Sequence, residues 1–140
     1  MYRAQDVMTR DVLRLTPQTT VEMAIRLLLD HGYSGAPVVN DEGMLTGIIS
    51  EYQLLEVIYD PDTGRLPVED VMTRSVLSVD EGALLSDVAS LFIQHRIRRV
   101  PVLRDGHLVG LITRRDVLRY IIESRPQLDE FLSGVQAFGR

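Results

Sequence analysis

The sequence predicts an α/β (α+β) fold made of two β-α-β-β-α repeats related by a pseudo-twofold axis, and three observations carry that expectation. The chain is written twice: Asp6-Val7-Met8-Thr9-Arg10-Asp11-Val12-Leu13 returns 64 residues later as Asp70-Val71-Met72-Thr73-Arg74-Ser75-Val76-Leu77. At the same offset His31, Pro37, Val38 and Asp41 return as His95, Pro101, Val102 and Asp105; one deletion later Gly43, Leu45, Gly47 and Ile49 return as Gly106, Leu108, Gly110 and Ile112. Within each copy, apolar stripes at helical spacing alternate with short β-branched runs. Finally, 140 residues at 45% apolar bury somewhat over about two thirds of the unfolded surface, enough for one compact domain or two small, tightly fused halves. Packing such units about a pseudo-twofold axis buries the sheet face and helix stripe that each leaves open. The clefts between them are the natural ligand sites.

Local pattern justifies each element. In the first copy a helical turn near residues 6–8 leads to a strand over residues 12–15. Thr19 to Glu22 reads as a capping box, and Val21, Ala24, Ile25 and Leu28 form a stripe that ends near His31-Gly32. Two β-branched runs, residues 36–39 and 45–49, are joined by Asn40-Asp41-Glu42-Gly43 as a hairpin. Ser50 to Gln53 is a further cap signal, opening a helix to about Tyr59. The second copy repeats this order: a strand over 76–79, a helix from about Leu84 with stripe Leu85, Val88, Ala89 and Phe92, hairpin strands near 100–103 and 108–113, and a helix from Arg114 to about Ser124. The expected division is repeat 1 over residues 1–60, a turn-rich polar linker over 61–67, repeat 2 over 68–124 and a tail over 125–140. In the tail, Leu128, Phe131 and Leu132 suit a short amphipathic helix that either docks on a partner or caps the core.

Composition removes several functions. Without cysteine there are no disulfides, thiolate nucleophiles or thiolate metal sites, and every basic residue is arginine, which removes Schiff-base chemistry and the P-loop lysine. The three histidines show no zinc-ligand spacing; His31 and His95 suit helix C-termini. Met8 and Met72 read as core gap-fillers. No apolar run approaches the roughly 18 residues of a membrane span, and the N-terminus lacks a signal peptide's apolar core, so cytoplasmic residence is expected and membrane association is not. Residues 1–70 carry 5 Arg against 12 acidic residues, a net of −7, whereas residues 71–140 carry 10 against 8, a net of +2. A net-acidic chain is a poor general nucleic-acid binder, so none is expected as a partner; a local basic pocket for one small anion remains open.

The repeated Asp-Val-Met-Thr, Pro-Val-Val or Pro-Val-Leu, and Gly-hydrophobic-hydrophobic-Ser/Thr motifs closely resemble the paired cystathionine-β-synthase (CBS) domain, or Bateman module, over about residues 4 to 122. The resemblance implies two CBS repeats acting as a regulatory, non-catalytic sensor, which takes no tightly bound cofactor. It binds an adenosine-containing ligand (AMP, ADP, ATP or S-adenosylmethionine) between the repeats and commonly forms a homodimer. His95-Arg96-Ile97-Arg98-Arg99-Val100-Pro101-Val102 is similar to repeats of the gamma regulatory subunit of AMP-activated protein kinase. That likeness implies that Asp116 holds ribose hydroxyls, Thr113 reaches ribose or phosphate, Arg98 and Arg99 meet phosphates, and Val76, Leu77, Ile97 and Leu111 wall the adenine.

The residues themselves leave alternatives open. An ionised Asp116 accepts hydrogen bonds from two vicinal hydroxyls at about 1.5 to 3 kcal/mol each, yet Thr113-x-x-Asp116 is also a good capping box. Pattern alone favours the cap, and the family context favours the hydroxyls. Arg98 and Arg99 begin a strand and point to opposite faces, so at least one reads as a solvated charge; Arg99 is the preferred phosphate contact. Arg114 and Arg115 begin a helix, where cations oppose the dipole and hint at an anion nearby. The first copy has Gln53, Ser34 and Gly35 where the second has Asp116, Arg98 and Arg99, which predicts one competent site formed mainly by the second repeat. The competing reading is a ligand-free structural or dimerisation module that docks an unidentified effector protein. Catalysis is not expected, since no nucleophile-base pair, carboxylate dyad or metal cluster emerges.

Overall fold

The structure, a computed structural model, describes residues 2–124. The elements run α1 (Ala4–Val7), α2 (Val21–His31), β1 (Gly35–Val39), β2 (Leu45–Ser50), α3 (Glu51–Leu55), β3 (Val79–Asp80), α4 (Leu85–His95), β4 (Arg99–Arg104), β5 (His107–Thr113) and α5 (Arg114–Glu123). Three 3-10 turns, Glu56–Ile58, Pro61–Arg65 and Val68–Asp70, lie between α3 and β3. The amphipathic piece expected around Leu128, Phe131 and Leu132 lies outside the described residues.

Both expected hairpins form. β1 pairs antiparallel with β2, and β4 with β5, with register shifts at the matching places between Val38 and Val39 and between Val102 and Leu103. Gly43 and Gly106 close the two turns at φ 82° and 81°, in the left-handed region that glycine enters without steric cost. The first strand of each copy is shorter than expected. Residues 12–15 contribute a single parallel bridge, Leu15 to Val38, and β3 has two residues, paired parallel with Val102 and Leu103. Val12 and Leu13 turn instead toward a cavity, as set out below, so the segment leaves the sheet after one pairing.

Capping differs in one helix. Thr20, not Thr19, caps α2 by accepting from the Met23 N–H at 3.1 Å. The Thr19 hydroxyl serves the preceding turn, accepting from the Thr16 N–H at 3.1 Å, and Glu22 pairs with Arg26 at 3.0 Å. Gly32 ends α2 at φ 70°, and Arg96, its counterpart in the second copy, ends α4 at φ 51°.

The two hydrophobic cores reveal an exchange. Leu15, Val21, Ala24, Leu28, Val38 and Ile49 of the first copy are completed by Val68 and Met72, while Val88, Phe92, Val100, Val102, Ile112 and Val117 of the second are completed by Ala4 and Met8. Each Asp-Val-Met-Thr segment therefore fills the other copy's core. The backbone seals the exchange: Thr9 and Leu111 exchange hydrogen bonds of 2.9 and 3.0 Å, and Thr73 and Ile48 exchange two of 2.9 Å. Glycines admit the methionines. A Cβ on Gly47 would lie 2.5 Å from Met72 Sδ, and one on Gly110 would lie 2.5 Å from Met8 Sδ. Residues 61–67 also fold against the first copy: the Val21 N–H donates to the Leu66 carbonyl at 2.9 Å, and the Val68 N–H to that of Thr19 at 2.7 Å.

Candidate functional site

The exchange opens a cavity of about 570 Å3 between the copies. One wall is the end of the second hairpin: Arg99 stands opposite Thr113 in the sheet register, and β5 passes directly into α5, bringing Leu111, Thr113, Arg114, Arg115 and Asp116 together. The facing wall comes from the first copy: Thr9, Asp11, Val12 and Leu13 follow α1, and Gly32, Tyr33, Ser34 and Gly35 join α2 to β1. Val12, Leu13, Tyr33, Pro37 and Leu111 supply apolar surface, and Thr9, Ser34 and Thr113 supply hydroxyls. Four arginines, 98, 99, 114 and 115, face two carboxylates, Asp11 and Asp116, so the cavity favours an anion.

Asp116 is both cap and cavity residue. Its Oδ2 accepts from the Thr113 N–H at 2.9 Å, while the Thr113 hydroxyl accepts from the Asp116 N–H at 3.1 Å. Oδ1 accepts from Arg119 Nη1 at 3.2 Å, and the side chain is 13% exposed. A carboxylate offers about four lone-pair sites, so these contacts fix its rotamer and leave capacity for a further donor. Among the described residues the Thr113 hydroxyl accepts but donates to no partner.

Arg98 is exposed, whereas Arg99 is half-buried and donates through Nη2 to the Ser34 hydroxyl of the other copy. Burial pushes the Arg99 pKa down, the Arg98 charge adds to this, and Glu51 opposes it. A desolvated guanidinium of this kind gains from an anion.

The pseudo-equivalent place is built differently. Gln53 Nε2 donates to the Thr73 hydroxyl at 2.6 Å, tying the copies together where their counterparts Asp116 and Thr9 line open space. Gln53 Oε1 also accepts from the Ser50 N–H at 2.8 Å, so the side chain is held at both ends.

Of the residues singled out from sequence, Arg98, Arg99, Leu111, Thr113 and Asp116 converge on the cavity. Val76, Leu77 and Ile97 do not line it. Ile97 packs against the second core, and Leu77 is 41% exposed. The apolar wall comes instead from Val12 and Leu13, the same two residues one repeat earlier, because the exchange sets the first copy's segment against the second copy's hairpin. Tyr33 and Asp11 carried no sequence signal of their own.

Among the described residues, no helix is long and apolar enough to cross a membrane. The sequence profile of the CBS domain matches residues 4–60 and 68–123. The chain is 32% identical over 117 residues to protein MJ1225 of Methanocaldococcus jannaschii, covering 84% of this chain and 42% of that protein. It thus spans less than half of that relative. Against the CBS domain-containing protein YhcV of Bacillus subtilis it is 30% identical over 118 residues, 84% of each chain. The crystal structure of CBSX2 in complex with AMP, a protein of Arabidopsis thaliana, superposes with a TM-score of 0.82 at 33% identity over 89% of this chain and 99% of that one.

Proposed function

The chain belongs to the CBS domain family as a tandem pair, and from that premise we propose that it is a regulatory, non-catalytic module that binds one adenosine-containing ligand per chain in the cavity beside Asp116. One observation carries this reading: four arginines, the Thr113–Asp116 cap and an apolar wall of Val12, Leu13 and Tyr33 meet in a single cavity between the repeats. Its volume of about 570 Å3 lies in the range of small-molecule sites. The apolar wall suits a purine, the carboxylate a ribose diol, and the arginines a phosphate. The AMP held by CBSX2, at 33% identity, supports the ligand class.

The mechanism is linkage. A ligand spanning both copies shifts their arrangement, or that of two protomers, only by its differential affinity for the two states. Val76, Leu77 and Ile97, first assigned to the adenine wall, are replaced in this proposal by Val12 and Leu13. The Gln53–Thr73 hydrogen bond supports a stoichiometry of one. Isothermal titration with AMP, ATP and S-adenosylmethionine tests the reading. One ligand per chain is expected, and absence of heat with all three at millimolar concentration would sink it.

Residues 1–60 and 68–124 are the two repeats in this reading. Exposed Leu29, Leu55, Ile93 and Leu118 on the helices support self-association as a homodimer. The output then acts through an effector protein that reads the assembly.

A further inference from the structure

We propose that Ser34 of the first repeat is a positioning residue for phosphate in the cavity: its hydroxyl holds the Arg99 guanidinium of the second repeat in place before any ligand arrives. This rests on the reading of the cavity as a nucleotide site and adds that phosphate recognition there is built from both repeats.

The contact joins residues 65 positions apart, Arg99 Nη2 donating to the Ser34 hydroxyl, and both residues line the cavity. Among the described residues Arg99 is the one cavity arginine whose guanidinium has a hydrogen-bond partner; Arg98, Arg114 and Arg115 are exposed. Ser34 is itself anchored. Its carbonyl accepts from the Glu51 N–H at 3.0 Å, at the start of α3, and the next residue, Gly35, pairs with Ser50 in the first hairpin. Gly35 also lacks the side chain that would collide with the guanidinium.

The chemistry of the contact suits a holder rather than a partner that satisfies the charge. A guanidinium has five N–H donors and Ser34 takes one, so the fork is oriented without being exhausted. A carboxylate at position 34 would neutralise Arg99; a hydroxyl fixes its direction and leaves its charge for the ligand. A mobile arginine loses side-chain entropy when a phosphate immobilises it, and a guanidinium ordered beforehand has less to lose. Arg99 is half-buried and makes no ion pair among the described residues, so an arriving phosphate meets a charge that is partly desolvated and already aimed. Ser34 and Gly35 stand where the second repeat has Arg98 and Arg99. The change that strips the first repeat of its cations is then the one that completes the site of the second.

Titration of the full chain with AMP, and with adenosine, which lacks the phosphate, tests the role. Ser34→Ala weakens AMP binding by at least about fivefold and adenosine binding by less than about twofold. In an Arg99→Gln background the same change weakens AMP binding by less than about twofold, because Ser34 acts through Arg99. Equal losses for the two ligands, an undiminished loss beside Arg99→Gln, or tighter AMP binding by Ser34→Ala each overturn the proposal. Nitrogen relaxation of the arginine Nε–H groups reads the same contact without nucleotide, the Arg99 and Arg98 signals being identified by their loss in Arg99→Gln and Arg98→Gln. Arg99 is more ordered than Arg98 in the unliganded wild type and loses that order in Ser34→Ala; an Arg99 as mobile as Arg98 in the wild type overturns the proposal. A wild type that binds neither ligand removes the nucleotide reading, and this role with it, however ordered Arg99 proves to be.

Discussion

Gly35 and Arg99 hold the same place in the two repeats and meet across the pseudo-twofold axis: a Cβ built on Gly35 would lie 2.5 Å from Arg99 Nη1 and 2.7 Å from the Ile49 carbonyl oxygen. The neighbouring Ser34, counterpart of Arg98, accepts from Arg99 Nη2. The divergence of the repeats is thus a packing solution. One guanidinium fills the space between the copies, and the first repeat gives up both arginine side chains to receive it.

Gly35→Ala should therefore weaken nucleotide binding and stability together. The side chain of Arg99 has freedom to move, but the Ile49 carbonyl is backbone, and overpacking of this kind costs about 1–3 kcal/mol. Thermal unfolding and nucleotide titration of the variant check it; unchanged values in both would refute the close approach.

Arg99→Gln should raise the melting temperature of the ligand-free protein while weakening binding of any phosphate-bearing ligand. Burial lowers the Arg99 pKa below its usual value. A base with a lowered folded-state pKa binds its proton less tightly folded than unfolded, so its charge destabilises the fold at every pH below both values, which includes the whole neutral range. Calorimetry without ligand is the measurement, and a fall in melting temperature would show that the Ser34 contact outweighs desolvation.

Asp116→Asn should separate cap from ligand. Asparagine keeps an oxygen for the Thr113 N–H, now 2.9 Å from Oδ2, so stability falls by at most about 1 kcal/mol. Loss of the charge weakens ribonucleotide binding by at least about tenfold, roughly 1.4 kcal/mol. Gln53→Ala should leave that affinity unchanged within about twofold, because Gln53 donates to Thr73 at 2.6 Å and neither residue lines the cavity. Equal losses at both positions, read by titration, would contradict a single site.

Deleting residues 1–8 should loosen the distant half of the sequence. Ala4 and Met8 belong to the second core, and the Ala4 N–H donates to the Ala83 carbonyl at 2.8 Å. Amide hydrogen exchange is expected to rise in β4, β5 and α4, more than in β1 and β2. Faster exchange confined to the first repeat would contradict the exchange of segments.

Gly110→Ala should destabilise the protein by about 1–3 kcal/mol through its clash with Met8, and Met8→Ala combined with it should cost less than the two single changes added together. The coupling arises because the three atoms nearest a Cβ at 110 all belong to Met8, Sδ at 2.5 Å, Cγ at 2.8 Å and Cβ at 3.0 Å. Additive losses by chemical denaturation would show that the contact is not shared.

Much of this molecule is legible in its sequence, and the residues show which part. The duplication, the stripes of α2 and α4, both hairpins with their glycine turns, and the Thr113–Asp116 cap are encoded by neighbours within a few residues, where period and side-chain chemistry leave little choice. The cluster of arginines and Asp116 in the second repeat is local in the same sense. The partner of each Asp-Val-Met-Thr segment is not. Met8 and Met72 sit in near-identical strings, so either could fill either core by pattern, and only three-dimensional packing sends Met8 to Gly110 and Met72 to Gly47. That decision carries Val12 and Leu13, rather than Val76 and Leu77, into the cavity beside Asp116. Sequence by itself determined the second copy's share of the candidate site, Arg98, Arg99, Leu111, Thr113 and Asp116. Tertiary structure decided which copy's Val-Leu segment faces them, because a repeated motif has the same local energy in both places and only the long-range contacts differ.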